Sequence, residues 1–240
     1  MRALADFLYP EACAGCGRLV RGSLCCDCRA GLPRIHPPVC DHCGKPTVVE
    51  VPACRECRGR GLRFDLARQA ALYEGVVRAA IHRLKYRAER CLVPSLVALL
   101  AEVLSGMIAA APGAALTWPP PSPARRRARG FDHGEALARA AASFLEVPAV
   151  PLLERVRDMP PQVGLNPAIR RRNLRGAFHT VIPPPRVVIV VDDVYTTGAT
   201  ASEVARALKR AGASRVLVAA VARTLPPGPR AGVTEGRRSS

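Results

Sequence analysis

Four CxxC pairs occupy the first quarter of this sequence and constrain its fold more than any other feature. The two-residue gap of a CxxC turn lets both sulfurs point at one centre, and two such turns supply the four thiolates of a tetrahedral Zn²⁺ site. Four pairs therefore predict two structural zinc sites, and a segment this poor in apolar residues owes its fold to metal. The eight cysteines are Cys13, Cys16, Cys25, Cys28, Cys40, Cys43, Cys54 and Cys57.

The sequence alone leaves the pairing of the four turns open. Sequential pairing places residues 13–28 on one metal and residues 40–57 on the other, and an interleaved pairing uses the same residue types. No secretory signal precedes the pairs, so we expect a cytoplasmic chain with reduced thiols rather than disulfides. Two cysteines remain. Cys26 lies inside a CxxC pair and is a candidate to replace one of its zinc ligands, whereas Cys91 is expected to be an ordinary buried thiol.

From residue 63 onward, strand and helix signals alternate, which is typical of a mostly parallel sheet covered by helices on both faces. We divide the chain into a zinc module (1–62), an α/β domain (63–224) and a disordered tail (225–240). The predicted strands are Leu66–Tyr73, Ala114–Trp118, Ala149–Leu153, Ala177–Ile182, Val187–Val191 and Arg215–Ala222, and the predicted helices are Val76–Tyr86, Leu92–Ala110, Gly134–Phe144 and Thr200–Ala211.

The charge of the chain favours anionic partners. Lys and Arg number 36 against 19 Asp and Glu, which gives a formal net charge of +17. Nucleic acid and phosphorylated metabolites suit such a surface, although a GC-rich genome produces the same arginine bias without selection for binding. Of the two longest apolar stretches, Leu92–Ala111 carries a charge and Val216–Val221 is too short to span a membrane. We therefore expect no membrane insertion.

The stretch VVIVVDDVYTTGAT places two carboxylates between a buried strand and a loop of small hydroxyl residues. In parallel sheets, ligands bind outside the carboxyl ends of the strands. The backbone of Thr196–Thr200 can surround a phosphate at the start of the next helix. Asp192 and Asp193 would repel that phosphate, but they suit sugar hydroxyls or a divalent cation. A sugar phosphate meets both requirements.

This stretch closely resembles the phosphoribosyl-pyrophosphate motif of type I phosphoribosyltransferases. The resemblance implies a type I phosphoribosyltransferase-like parallel sheet flanked by helices, preceded by the small zinc-ribbon module with four cysteine ligands per metal. It also implies that Asp192 and Asp193 bind ribose or Mg²⁺. The residues implied to hold the 5′-phosphate are Thr196, Thr197, Gly198, Ala199 and Thr200.

Further motifs resemble one branch, the ComF family of competence-associated proteins. They are ALYEGVVRAAIHRLKYRAER, RRRARGFDHGEALARA and QVGLNPAIRRRNLRGAF, in the order of that family and behind the same CxxC module. One departure is RGFDH at Arg129–His133, where the family has RGFNQ. Residues Glu154–Arg175 fall where related enzymes carry a mobile loop. The resemblance implies that Lys85 lies on the pyrophosphate side, and the candidate DNA or anion contacts are Arg125, Arg126, Arg127, Arg129, Arg171 and Arg172.

Two functions follow from this resemblance. The first is a role in DNA uptake and natural transformation, in which the protein handles single-stranded DNA and the zinc module docks a competence helicase or a recombination protein. The alternative is an active Mg²⁺-dependent phosphoribosyltransferase of nucleotide metabolism that uses phosphoribosyl pyrophosphate. The sequence identifies neither an acceptor base nor a nucleophile, and fold resemblance does not establish turnover.

Overall fold

The computed structural model describes residues 12–20, 23–156 and 175–225. Arg171, Arg172, most of the expected mobile loop and the tail from residue 226 lie outside the described residues, as do the side chains of Arg125 and Arg129.

Within the described ranges the chain forms six helices and six strands, the first of the helices inside the zinc module. A 3₁₀ turn at Arg90–Leu92 precedes α3. In chain order the elements are α1 (Cys26–Ala30), β1 (Leu66–Leu72), α2 (Gly75–Arg87), α3 (Val93–Ala109), β2 (Ala115–Thr117), α4 (Pro123–Arg129), α5 (His133–Leu145), β3 (Leu153–Arg155), β4 (Phe178–Thr180), β5 (Val187–Tyr195), α6 (Ala199–Arg210) and β6 (Arg215–Arg223).

The main sheet has four strands in the order β1-β6-β5-β2, and every pair is parallel. Helices α2, α3 and α5 pack on one face, and α6 packs on the other together with the antiparallel pair β3-β4. Alternate residues of β5 serve the two faces, since Ile189 and Val191 join the first core while Val188 and Val190 join the second. The expected α/β sheet flanked by helices is confirmed.

Three segments differ from their sequence-based prediction. Strand β5 continues through the acidic pair to Tyr195 instead of ending at Val191, because its pairing with β6 persists to Arg223. The strand expected at Ala149–Leu153 forms only a bridge between Leu116 and Ala149, and β3 begins at its last residue. The basic segment that carries the candidate anion contacts Arg125, Arg126, Arg127 and Arg129, for which no helix was predicted, forms helix α4. Pro suits a first helical position and Arg is a good helix former.

The outer edge of β1 is covered by the zinc module. The amide of Ile35 donates to Ala70 O (2.9 Å), and the amide of Leu72 donates to Pro33 O (2.8 Å). The amide of Ala67 donates to His42 O at 2.8 Å. Unpaired strand edges are templates for association with other chains. The module therefore supplies backbone hydrogen bonds to the outer edge of β1 and packs directly against the α/β domain.

Each half of the zinc module belongs to a different core. Cys13 and Cys25 pack with α2, α3 and α5 on one face of the sheet. Cys40, Cys43 and Cys54 pack with α6 and Phe64 on the other face. The two zinc ribbons thus support opposite sides of one sheet.

Within the described residues, one helix, Arg90–Ala109, is long and apolar enough by length and composition to cross a membrane, with a mean hydropathy of 2.1. Half of that segment is buried in the protein. Its residues Leu96, Leu100 and Leu104 are core positions packed against the sheet. Burial in the core accounts for these apolar residues.

The close approach of the second ribbon to β1 predicts a position-specific effect of alanine. Gly44 has φ +70°, and a Cβ there would lie 2.7 Å from Ala67 O. Gly17 holds the same position in the first ribbon, with φ +76° and no atom within 4 Å of such a Cβ. Both alanines incur the left-handed backbone strain of about 1 kcal/mol. We expect Gly44→Ala to lower the free energy of unfolding by at least about 1 kcal/mol more than Gly17→Ala.

Urea unfolding of the zinc-loaded chain measures this difference. Equal losses in the two variants would contradict the tight contact between the ribbon and β1.

Candidate functional site

The eight cysteines of the CxxC pairs form two groups with the geometry of metal centres. In each group the four sulfurs lie within 4.8 Å of one another. Cys16 Sγ and Cys25 Sγ are 3.7 Å apart, as are Cys43 Sγ and Cys54 Sγ. A tetrahedron with Zn–S bonds of about 2.3 Å has sulfur–sulfur edges of about 3.8 Å. The groups confirm the sequential pairing: Cys13, Cys16, Cys25 and Cys28 form the first centre, and Cys40, Cys43, Cys54 and Cys57 form the second.

Backbone amides favour the thiolate forms that zinc requires. The amide of Cys25 donates to Cys13 Sγ (3.3 Å), and the amide of Cys54 donates to Cys40 Sγ (3.2 Å). Burial opposes ionisation at both sulfurs, but these and neighbouring amides lower the pKa of Cys13 to about 6 and that of Cys40 to about 7. Four sulfur ligands leave no position for a catalytic water. Both centres therefore fit structural zinc.

The remaining candidates near the centres are not ligands. Cys26 is exposed beside the first centre and lies outside its group of four. Cys91 is exposed, which corrects the expectation of a buried thiol; it sits in the 3₁₀ turn ahead of α3. His42, inside the third CxxC turn, stacks on Phe64 with ring centroids 5.0 Å apart.

The acidic pair near the end of β5 is divided between two environments. Asp193 is buried on the face of α2 and α5, where Lys85 Nζ lies 2.5 Å and His133 Nε2 lies 3.1 Å from its Oδ2. Its Oδ1 accepts a hydrogen bond from the amide of Val194 at 2.7 Å. The structure thus brings three residues singled out in the sequence together, but as an internal ion cluster.

Opposite pKa shifts follow from this arrangement. Burial disfavours the ionised form of Asp193, but the charge of Lys85 and the hydrogen bond with His133 outweigh it and hold the pKa of Asp193 below its usual range. Burial also opposes the charge on Lys85, whose pKa is nevertheless raised by Asp193. For Asp192, burial and then the charge of Asp193 raise the pKa well above its usual range. Asp193 is therefore the fixed anion and Asp192 the proton-sensitive one.

A cavity of about 210 Å³ opens at this end of the sheet. Asp192 and Thr200 line it from β5 and α6, and Arg155 lines it from β3. Mg²⁺ is commonly held by one or two carboxylates together with substrate phosphates. Asp192 fits that role, whereas Asp193 is engaged by Lys85. The residues lining the cavity are Lys85, Pro119, Pro120, Pro121, Asp132, His133, Gly134, Arg155, Phe178, Asp192, Asp193, Val194 and Thr200.

The loop after β5 leads into a helix without a side-chain cap. Gly198 is the N-cap of α6, adopts φ +74°, and no side chain bonds to the first-turn amides in a capping role. The first turn carries no acidic residue, which suits an anion at this end. Thr197 Oγ1 accepts weakly from the amide of Ala199 at 3.4 Å, and Thr196 is exposed. Of the five predicted phosphate residues, Thr200 lines the cavity itself.

The basic segment after β2 does not point its described arginines into the cavity. Arg126 and Arg127 are exposed on α4 and are not lining residues. The departure RGFDH has a structural meaning at both positions. Asp132 caps α5 by accepting from the amide of Glu135 at 3.0 Å, and His133 contacts Asp193. The sequence signalled these two residues as unusual but did not reveal their partners.

A second, more open cavity of about 530 Å³ carries most of the basic character near the site. Arg175, His179, Arg206 and Arg210 line it, and we call it the basic groove. Phe178 lines both the basic groove and the site cavity, so the two are adjacent. Sequence reasoning missed this groove and Arg155, because both depend on the β3-β4 pair.

Comparisons with known proteins agree with this organisation. The double zinc ribbon domain family matches residues 4–58. The DNA utilization protein YhgH of Salmonella typhimurium is 30% identical over 223 residues, covering 89% of this chain and 90% of that protein. Competence protein F of Haemophilus influenzae is 26% identical over 223 residues, covering 88% of this chain and 95% of that protein.

The solved structure of an allosteric regulatory enzyme of purine biosynthesis is 20% identical in sequence to this chain. The match covers 54% of this chain and 26% of that chain, with a TM-score of 0.34. The relatives align over nearly the whole chain, including the zinc module and the α/β domain. The chain belongs to the ComF family.

Proposed function

We propose that this protein binds a sugar phosphate of the phosphoribosyl-pyrophosphate type at the carboxyl end of β5 and handles single-stranded DNA in DNA uptake. The names of the relatives, DNA utilization protein and Competence protein F, support the role. The zinc module then supplies structural support and a docking surface for a helicase or recombination protein. The reduced thiols that both centres need are consistent with a cytoplasmic protein.

The observation that carries the ligand proposal is the meeting of opposite charges at one cavity. The uncapped start of α6 offers backbone amides to a phosphate. Arg155 lines the same cavity, so a phosphate group finds a guanidinium beside it, next to the Lys85–Asp193 ion pair. Asp192 is left for ribose hydroxyls or for Mg²⁺ bridging to the phosphates.

The basic groove supports the nucleic-acid part of the proposal. It lies next to the site cavity across Phe178, so a strand whose sugar phosphate occupies the cavity can continue along Arg175 and Arg210. Both of these arginines are exposed. The basic groove offers little stacking, because Phe178 in its lining is buried and the exposed rings of Tyr86 and Phe144 are not among its lining residues. Contact with the DNA backbone therefore dominates, and such binding depends strongly on salt.

Catalysed phosphoribosyl transfer is the alternative function. The ion cluster around Asp193 favours binding over turnover, because Lys85 is committed to a buried carboxylate rather than to a leaving pyrophosphate. A transferase stabilises developing charge with groups that are free to act on it. Release of pyrophosphate from phosphoribosyl pyrophosphate in the presence of a purine or pyrimidine base would establish the alternative.

The two aspartates are predicted to respond differently to amidation. We expect Asp192→Asn to weaken binding of Mg²⁺ with phosphoribosyl pyrophosphate at least about tenfold, equivalent to about 1.4 kcal/mol, with little change in stability. Because the pKa of Asp192 is raised, wild-type affinity should weaken with falling pH sooner than at an ordinary aspartate. Calorimetry measures both effects, and unchanged affinity in Asp192→Asn would refute the site.

Asp193→Asn provides the matched comparison. It leaves Lys85 buried without its anion, so we expect the free energy of unfolding to fall by about 3 kcal/mol near neutral pH. The pKa of Asp193 is lower in the folded than in the unfolded chain, so this stabilisation is present above about pH 4 and is lost as the pH falls further. Urea midpoints across acidic pH test this, and a wild-type stability in Asp193→Asn would contradict the ion cluster.

Single-stranded DNA binding is predicted to depend on the basic groove. We expect Arg210→Gln to weaken binding of a fluorescent oligothymidylate and to reduce the slope of log affinity against log salt by about 0.7, the value for one phosphate contact. Arg215→Gln is the control, because this exposed arginine donates to Ala110 O, away from the groove. An equal change in both variants would mean that net charge, and not the groove, determines binding.

A further inference from the structure

The last residue of β6 is a buried arginine between the second zinc centre and the ligand loop. Arg223 is 1% exposed, and within the described part of the chain it is the one arginine or lysine classed as buried. Isolated buried charge is strongly unfavourable unless it is paired and hydrogen-bonded. The groups around this guanidinium are therefore essential to its position.

Those groups come from the second zinc ribbon and from β1. Arg223 Nη1 donates to Cys43 O at 2.8 Å and to Gln69 Oε1 at 3.3 Å. Its Nη2 lies 3.5 Å from Glu56 Oε2, and Glu56 is also paired with Lys45. Cys43 is a sulfur ligand of the second centre, and Glu56 immediately precedes another, Cys57. The guanidinium is thus held by the turns that close around the metal.

The other side of the guanidinium faces the ligand loop. Its central carbon lies 4.8 Å from the centroid of the Tyr195 ring, a cation–π distance. That ring lies against Gly198, where a Cβ would approach Tyr195 Oη to 2.3 Å. Gly198 is the left-handed N-cap residue immediately before α6. Tyr195 therefore determines the shape of the turn that presents the first amides of the helix.

Aromatic packing connects the same two regions by a second route. His42, within the CxxC turn of Cys40 and Cys43, stacks on Phe64. Phe64 packs edge-on against Tyr195 with ring centroids 6.1 Å apart. Tyr195 thus contacts Arg223 and Phe64, and each of these two side chains also contacts the second zinc ribbon.

We propose that Arg223 is a positioning residue that couples occupancy of the second zinc centre to the conformation of the Tyr195–Thr200 loop. Binding of Cys43 and Cys57 to metal fixes the turns that hold the guanidinium, and the guanidinium fixes the Tyr195 ring against Gly198. Such coupling is reciprocal, so a ligand in the loop also retains the metal. This last step rests on the proposed sugar-phosphate site.

Hydrogen–deuterium exchange of the full-length, zinc-loaded chain tests the coupling without a ligand. In Arg223→Met, with two zinc ions still bound by metal analysis, we expect amides of Tyr195–Thr200 to exchange about tenfold faster than in wild type. Arg83→Met is the matched control, because Arg83 Nη1 donates to Cys13 O at 3.4 Å in the first ribbon. Unchanged exchange in Arg223→Met, or an equal increase in Arg83→Met, would overturn the inference.

Zinc release into a chromophoric chelator supplies a readout that a purely structural role would not change. Mg²⁺ with phosphoribosyl pyrophosphate should slow the release of one of the two zinc ions about tenfold in wild type and not in Arg223→Met. If the methionine variant does not fold, Arg223→Lys keeps the charge, lacks the flat guanidinium and should show the same losses. Retention of the ligand effect in a folded variant would contradict the coupling.

Calorimetry of wild type with the same ligand separates the two proposals. Absence of binding would refute the proposed sugar-phosphate site, and the exchange comparison would still decide whether Arg223 links the zinc ribbon to the loop. Binding together with ligand-independent release of both zinc ions would refute the coupling alone.

Discussion

Burial of charge at the carboxyl ends of β5 and β6 is the constraint on which the rest of this structure depends. Asp193 and Arg223 are both nearly inaccessible, on neighbouring strands. Neither charge is tolerable without partners, and each recruits them from different elements. Asp193 is paired with Lys85 of α2 and His133 of α5. Arg223 donates hydrogen bonds to the second zinc ribbon and to a side chain of β1. The candidate ligand cavity lies beside the first of these clusters.

This division changes how the acidic pair is understood. In the sequence, the two aspartates look equivalent, and the resemblance to phosphoribosyltransferases implies a ligand role for both. In the structure, both aspartates line the cavity, but Asp193 is paired with Lys85 and His133, whereas the carboxylate of Asp192 accepts a hydrogen bond from the amide of Asp193. The sequence could not reveal this, because the distinction depends on strand alternation continuing past Val191 and on partners far away along the chain. The pairing of β5 with β6 extends further than its apolar run suggests.

Other features were predictable for clear physical reasons. Strands β1 and β6 and helices α2, α3 and α6 differ from prediction by only a residue or so at their ends, because long apolar periodicities identify an element well. The two metal centres followed from CxxC spacing, since the ligand geometry is local. Helix α4 and the β3-β4 pair were less predictable: charge obscured the helix, and tertiary pairing defines the short strands. Arg155 and the basic groove were missed for the latter reason.

The backbone contacts between residues 33–44 and β1 carry a consequence for how the two parts of the chain are related. A fragment beginning at residue 63 would present one side of β1 with its amides and carbonyls unpaired, next to the apolar residues Ala67 and Ala71. Such an edge readily accepts a strand from another molecule. The zinc module therefore prevents edge-to-edge association of β1, and the α/β domain is expected to stay monomeric only when the preceding segment is attached to it.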